Sequence, residues 1–141
     1  MERLLQLATI VTPDLHAACV LAGVAYAENA DGGALAEAIH GLGAAALVVT
    51  GPHRADSLDW LFDGERHLPI PVERYRHAAT HGFGCTYSAA LCAMLARGAG
   101  LEHAVRTAGA VATAAVRNGF RDLGAANGPV DVLGIEALGA R

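Results

Sequence analysis

An α/β domain is the architecture this sequence predicts, and three observations point there. Two short apolar runs of strand character, Leu7–Thr12 (L-A-T-I-V-T) and Ala45–Thr50 (A-A-L-V-V-T), are separated by segments of helical period. That order of strand, helix and strand implies a parallel crossover. A chain of 141 residues, 53% hydrophobic and 17% charged, is long enough for one domain over 1–141 with a core of its own. Aromatic residues make up only 5%, so Ala, Leu and Val must build that core.

The elements follow in order. Met1–Gln6 reads as the end of a helix, and Pro13 stops the Leu7–Thr12 run, which suits a buried parallel strand. Asp14 is placed to cap a helix over Leu15–Ala22, and Gly23 to end it. Glu28–Gly33 is a polar loop. Leu35, Ala38, Ile39 and Leu42 repeat at helical spacing, giving an amphipathic helix over Ala34–Leu42 before the second strand. After Gly51-Pro52, the arms Asp59–Asp63 and Arg66–Val72 flank an Asp63-Gly64-Glu65 turn, a hairpin signal, and Pro69 and Pro71 put its second arm at a sheet margin. Trp60 and Phe62 alternate as packing residues of one strand face. Glu73–Thr80 is a charged connector. A buried helix then runs through the apolar stretch Thr86–Ala96, and a second long helix spans Leu101–Arg117. The apolar stripe of the latter is Leu101, Ala104, Val105, Ala108, Ala112 and Ala115, with Glu102 and Arg106 paired one turn apart and Asn118-Gly119 as its stop. Asn127-Gly128-Pro129 marks a last turn, and Asp131 reads as a solvated charge.

The stretch around which the chain is organised is Thr80–Ser88, T-H-G-F-G-C-T-Y-S. Gly82 and Gly84 allow a sharp turn and close approach of a ligand to the backbone. The first turn of the following helix leaves amides without partners in a positive dipole field, which suits phosphate, and Cys85 stands where a thiolate is favoured. By pattern alone, a glycine loop is first of all turn chemistry and a cysteine among alanines is packing. His81 beside the loop reads as exposed or turn-stabilising.

Composition narrows the function classes. A net charge of −4 argues against nucleic acid, which calls for a basic face. Cysteines at 19, 85 and 92 form no C-x-x-C pair, so a reducing, cytoplasmic setting is expected; Cys85 and Cys92 lie two helical turns apart and share a face. Histidines at 16, 40, 53, 67, 77, 81 and 103 show no compact metal-ligand spacing. The opening residues carry no signal-peptide pattern and no apolar run reaches membrane length, so no membrane partner is expected. The surplus of apolar residues over charges points to surface covered by another chain.

The run H-G-F-G-C-T-Y-S-A-A-L resembles the H-G-T-G-C-T-x-S-A-A segment of hydroxymethylpyrimidine and phosphomethylpyrimidine kinases, thiamine-pathway enzymes of the ribokinase-like superfamily. T-P-D-L (12–15), L-V-V-T-G-P-H (47–53), D-W-L-F-D-G (59–64) and N-G-P-V (127–130) are similar to further segments of that family, in the same order. The resemblance covers nearly the whole chain but only the C-terminal half of such an enzyme; the A-G-x-D-x-x-G-G-A-G type segment has no counterpart. It implies a three-layer half-domain with a mostly parallel sheet, flanking helices and a marginal hairpin. It also implies phosphorylation of a pyrimidine or pyridoxal-type substrate with ATP and Mg2+. Carried over, Cys85 is the general base, the backbone of Gly82, Phe83, Gly84 and Cys85 is the anion hole, and Asp14, Thr50, Gly51 and His53 belong to the nucleotide side. Ala17 replaces a family Glu, Thr50 a common Lys and Phe83 a small Thr, while Pro52 removes an amide donor. Those departures favour a second reading, a non-catalytic nucleotide-binding or assembly module. Either way, a half-fold predicts association, as a homo-oligomer or with a complementing N-terminal half.

Overall fold

Pro13 and Asp14 set the geometry of the first part of the chain. The Asp14 carboxylate accepts the Ala17 amide at 2.7 Å, which starts helix α2 (Leu15–Ala22), and Gly23 ends it with φ +71°. A helix of that length needs no more than this cap and stop, and both were readable in the sequence. The computed structural model describes residues 2–51, 58–73, 79–123 and 127–135. Ahead of α2 lies a single helical turn, α1 (Glu2–Leu5). Asp31 caps helix α3 (Gly32–His40), accepting the amides of Gly33 at 2.8 Å and Ala34 at 3.3 Å. That cap starts α3 two residues earlier than the hydrophobic period alone predicts. Leu35, Ala36 and Ile39 face inward, and Ala38 is exposed.

Strands β1 (Leu47–Val49), β2 (Leu58–Phe62) and β3 (His67–Pro71) form one sheet in the order β1-β2-β3. Both pairings are antiparallel, with Val48 opposite Leu61 and Trp60 opposite Pro69. The expected mostly parallel sheet is therefore not what these strands form. The four-residue turn Asp63–Arg66 permits only a hairpin, since parallel neighbours need a long crossover. Parallel pairing is present as two isolated bridges, Val11 to Leu47 and Asp14 to Thr50. The expected buried strand over Leu7–Thr12 is likewise corrected. Leu7 is 83% exposed, and of the run only Val11 enters a bridge.

The chain divides into two compact units, Met1–Arg74 and Tyr75–Arg141. In the first, α3 packs on β1 and β2 and α2 packs on α3, around a core of Leu15, Ala18, Cys19, Leu35, Ile39, Leu47, Val49 and Phe62. Gly32 is required there, because a Cβ would overlap the Trp60 ring. The Phe62 ring stacks on His67 at 4.5 Å and meets His40 edge-on at 5.1 Å, so Trp60 and Phe62 are packing residues as their alternation predicts. In the second unit, α4 (Phe83–Ala96) and α5 (Leu101–Arg117) form a helical hairpin joined by four residues. Its interface is Tyr87 and Leu91 against Ala104, Val105, Ala108 and Ala112. Alanine at 104, 108 and 112 lets the helices approach closely. Among the described residues, no helix is long and apolar enough to cross a membrane.

Candidate functional site

The loop ahead of α4 is built by three local features. Gly82 takes φ +95°, ψ 1°, a left-handed conformation in which a side chain is strained, and turns the chain into the helix. Phe83 donates its amide to the Thr80 carbonyl at 3.1 Å, and Thr86 donates both amide and hydroxyl to the Gly82 carbonyl at 2.9 Å. The amides of Gly84 and Cys85, between them, have no hydrogen-bond partner among the described residues. Open space surrounds Gly84, where an added Cβ would find no atom within 4 Å. Two open donors in the first turn of a helix suit an anion. Helix α4 begins at Phe83, so Gly84 and Cys85 already belong to its first turn.

Cys85 is exposed, as is Cys92 two turns on. The Phe83 ring lies 6.0 Å from the Tyr87 ring, folded back along its own helix. Of α4 only Thr86, Tyr87 and Leu91 are buried, so the expected buried helix is buried along one side only. The loop is held from behind by the last described segment, whose part in the site the sequence did not announce beyond its N-G-P-V pattern. His81 donates its amide to Gly128 at 3.1 Å and accepts the Val130 amide at 3.0 Å; its side chain is exposed. Asp131 is a correction. It is 4% exposed, its amide donates to Ala115 at 2.9 Å, and its carboxylate accepts the Leu133 amide at 3.1 Å. A buried carboxylate that accepts the amide two residues on has a structural task, so it is not a solvated charge.

The other predicted site residues lie in the first unit. The Asp14–Thr50 bridge brings Asp14, Thr50 and Gly51 together. Thr50 is buried, donates its amide to Pro13 at 2.9 Å and turns its hydroxyl to the same carbonyl at 3.4 Å. Gly51 donates its amide to the buried Asp59 carboxylate at 2.9 Å. Asp14 is exposed, with one carboxylate oxygen engaged by Ala17. His53 and Pro52 lie outside the described residues.

The sequence family described as phosphomethylpyrimidine kinase matches residues 1–131. The chain belongs to that family. A hydroxymethylpyrimidine/phosphomethylpyrimidine kinase of Rhizobium meliloti is 40% identical over 134 residues, covering 92% of this chain and 50% of the relative. Among solved structures, a Bacillus subtilis pyridoxal kinase in an ADP complex is 36% identical with a TM-score of 0.86, covering 95% of this chain and 51% of that one. A Thermotoga maritima ribokinase, 21% identical with a TM-score of 0.69, shares the fold over 100% of this chain and 45% of its own. The phosphomethylpyrimidine kinase match thus extends through the glycine loop, while the chain spans about half the length of these relatives.

Proposed function

We propose that this chain is the nucleotide-binding, C-terminal half of an ATP-dependent hydroxymethylpyrimidine or phosphomethylpyrimidine kinase of thiamine biosynthesis, working in the cytoplasm once an N-terminal half completes it. The observation that carries this reading is the loop at Gly82–Cys85: two unpartnered amides, free volume over Gly84 and an exposed thiol in one helical turn. The fold follows from the same reading. Residues 1–141 form one half of a three-layer ribokinase-like domain, in which the Val11–Leu47 and Asp14–Thr50 bridges belong to a mostly parallel sheet.

The loop residues suit phosphoryl transfer, in which positioning and electrostatics do most of the work. The Gly84 and Cys85 amides hold negative charge on the transferring group. Cys85 Sγ takes the proton of the substrate hydroxymethyl group as its oxygen bonds to phosphorus and the bond to the leaving nucleotide oxygen breaks. No group of three His, Cys, Asp or Glu among the described residues is placed to hold a metal ion, so magnesium would arrive with ATP and neutralise its phosphate oxygens. The nucleotide-side roles of Asp14, Thr50, Gly51 and His53 rest on the resemblance.

A second reading, a non-catalytic nucleotide-binding or homo-oligomeric assembly module, is favoured by one specific observation. Thr50 stands where a phosphate-facing Lys is common, and its hydroxyl is turned to Pro13. Calorimetric titration with Mg-ATP and Mg-ADP, followed by a kinase assay with hydroxymethylpyrimidine and an added N-terminal half, separates the two. Binding with turnover supports the kinase, binding alone supports a nucleotide-binding module, and no binding overturns both of these and leaves the loop as inherited architecture in an assembly module.

A further inference from the structure

Strand β2 carries a residue that its surroundings do not call for. Asp59 and Leu61 alternate onto one face of the sheet, with Ile70 opposite Asp59 and Val48 opposite Leu61. Leu61, Val48 and Ile70 are buried and apolar, and Asp59 on the same face is 1% exposed. A carboxylate in such a place costs stability unless hydrogen bonds offset its lost hydration, and an aliphatic side chain would fill the position without that cost. The Gly51 amide supplies one such bond at 2.9 Å. Gly51 lies two residues beyond Val49, which makes the last register pair of the β1–β2 ladder with Trp60. A side chain, and not a strand carbonyl, thus takes this amide.

Gly51 stands where the backbone is fixed from two sides. The Val11–Leu47 and Asp14–Thr50 bridges are parallel, so the two segments run alongside each other up to Asp14 and Thr50. Ligands of open α/β sheets bind outside the carboxyl ends of the strands. At that end Thr50 donates its amide to Pro13 at 2.9 Å, and Gly51 donates its own to Asp59. With both amides engaged inside the protein, this corner gives neither of them to a phosphate. What it contributes to a nucleotide site is the course of the chain. Building on the reading of the chain as the nucleotide-binding half of a kinase, we propose that Asp59 is a positioning residue for the nucleoside triphosphate, acting through Gly51. It fixes the direction in which the backbone leaves β1 at the edge where the nucleotide lies.

The test is calorimetric titration of the full chain with Mg-ATP, well below its melting temperature, in Asp59→Ala, Asp59→Asn and Ile39→Val. Amide exchange at Gly51 is followed by NMR in the same samples. Ile39→Val removes one buried methyl group from the core of the same unit and controls for lost stability. Asp59→Ala should weaken Mg-ATP about tenfold, the scale of one hydrogen bond to a charged group, and quicken exchange at Gly51. Asp59→Asn keeps an oxygen for the Gly51 amide and should return both to wild-type values, which a purely structural loss would not do. Ile39→Val should lower the melting temperature and leave the affinity unchanged. An equal loss of affinity in Ile39→Val overturns the proposal. Should Asp59→Ala fail to fold, Asp59→Asn decides: wild-type affinity and Gly51 exchange support the acceptor role, and an affinity about tenfold weaker overturns it. A wild-type chain that binds no Mg-ATP overturns the nucleotide reading and this proposal with it. Equal binding by the wild type and Asp59→Ala overturns this proposal alone.

Discussion

Val130 backs Gly82 directly: its Cγ2 stands 3.2 Å from where a Gly82 Cβ would sit, and its amide is tied to the neighbouring His81 carbonyl at 3.0 Å. The turn into α4 is thus closed from behind by the segment 127–131 and open in front at Gly84. That asymmetry separates two substitutions. Gly82→Ala is strained by φ +95° and pressed by Val130, and should cost about 1–3 kcal/mol, read as a lower melting temperature. Gly84→Ala meets no atom and sits in a helix, so stability should hold or rise slightly. Its methyl would enter the free volume beside the two open amides, so Mg-ATP affinity measured by calorimetry should fall. Unchanged affinity would remove this volume from the phosphate site.

Cys85→Ser tests the base. The side chain is exposed, so melting and circular dichroism should be unaffected. In an active complemented preparation, kcat should drop on the order of 10²-fold or more with KM for ATP little changed, since general-base catalysis contributes on that scale. Wild-type turnover in the variant would take Cys85 out of the mechanism.

The parts of this fold that sequence displayed are those decided locally. Asp14, Gly23, Gly82 and Asn118 act within one helical turn of themselves, and they cap or break their helices as their residue types predict. Strand pairing is decided elsewhere in the chain. Leu7–Thr12 has a strand's composition, yet of that run only Val11 enters a β-bridge, because neighbours and not hydrophobicity fix a ladder. Asp131 looks solvated in the sequence for the same reason: its burial depends on its amide reaching the Ala115 carbonyl and its carboxylate receiving the Leu133 amide. The candidate loop was legible through its glycines and its resemblance, whereas its support by Gly128 and Val130 depends on contacts more than forty residues away.

The β2–β3 turn gives an acid-range signature. The backbone amides of Arg66 and Glu65 donate to the Asp63 carboxylate at 2.7 and 3.0 Å, and the Arg66 guanidinium joins at 3.0 Å. These bonds hold its pKa near 2, below the ordinary 3.8. A carboxylate depressed on folding contributes stability above its unfolded value and loses it as pH falls through the folded one. The turn should therefore keep its order at pH 4 and loosen between about 3.8 and 2, followed by NMR shifts of the Glu65 and Arg66 amides. Asp63→Asn should remove that titration; if the same amide shifts persist in the variant, another group is responsible.

Among the described glycines of the second unit, Gly128 carries the strictest packing demand. A Cβ there would collide with the Phe120 carbonyl oxygen, and Phe120 itself donates its amide to Pro129 at 3.0 Å. Both contacts are backbone, so neither can rotate away as a side chain would. Gly128→Ala must therefore displace the 127–131 segment and with it the bonds to both sides of His81. Losing two such hydrogen bonds, at about 1 kcal/mol each, should lower the melting temperature clearly. Amide exchange at His81 and Val130 should quicken, while exchange within the buried α4–α5 interface at Tyr87 and Ala108 stays slow. Uniformly faster exchange across both helices would mean that the segment holds the hairpin together as a whole, and that its effect on the loop is not separate.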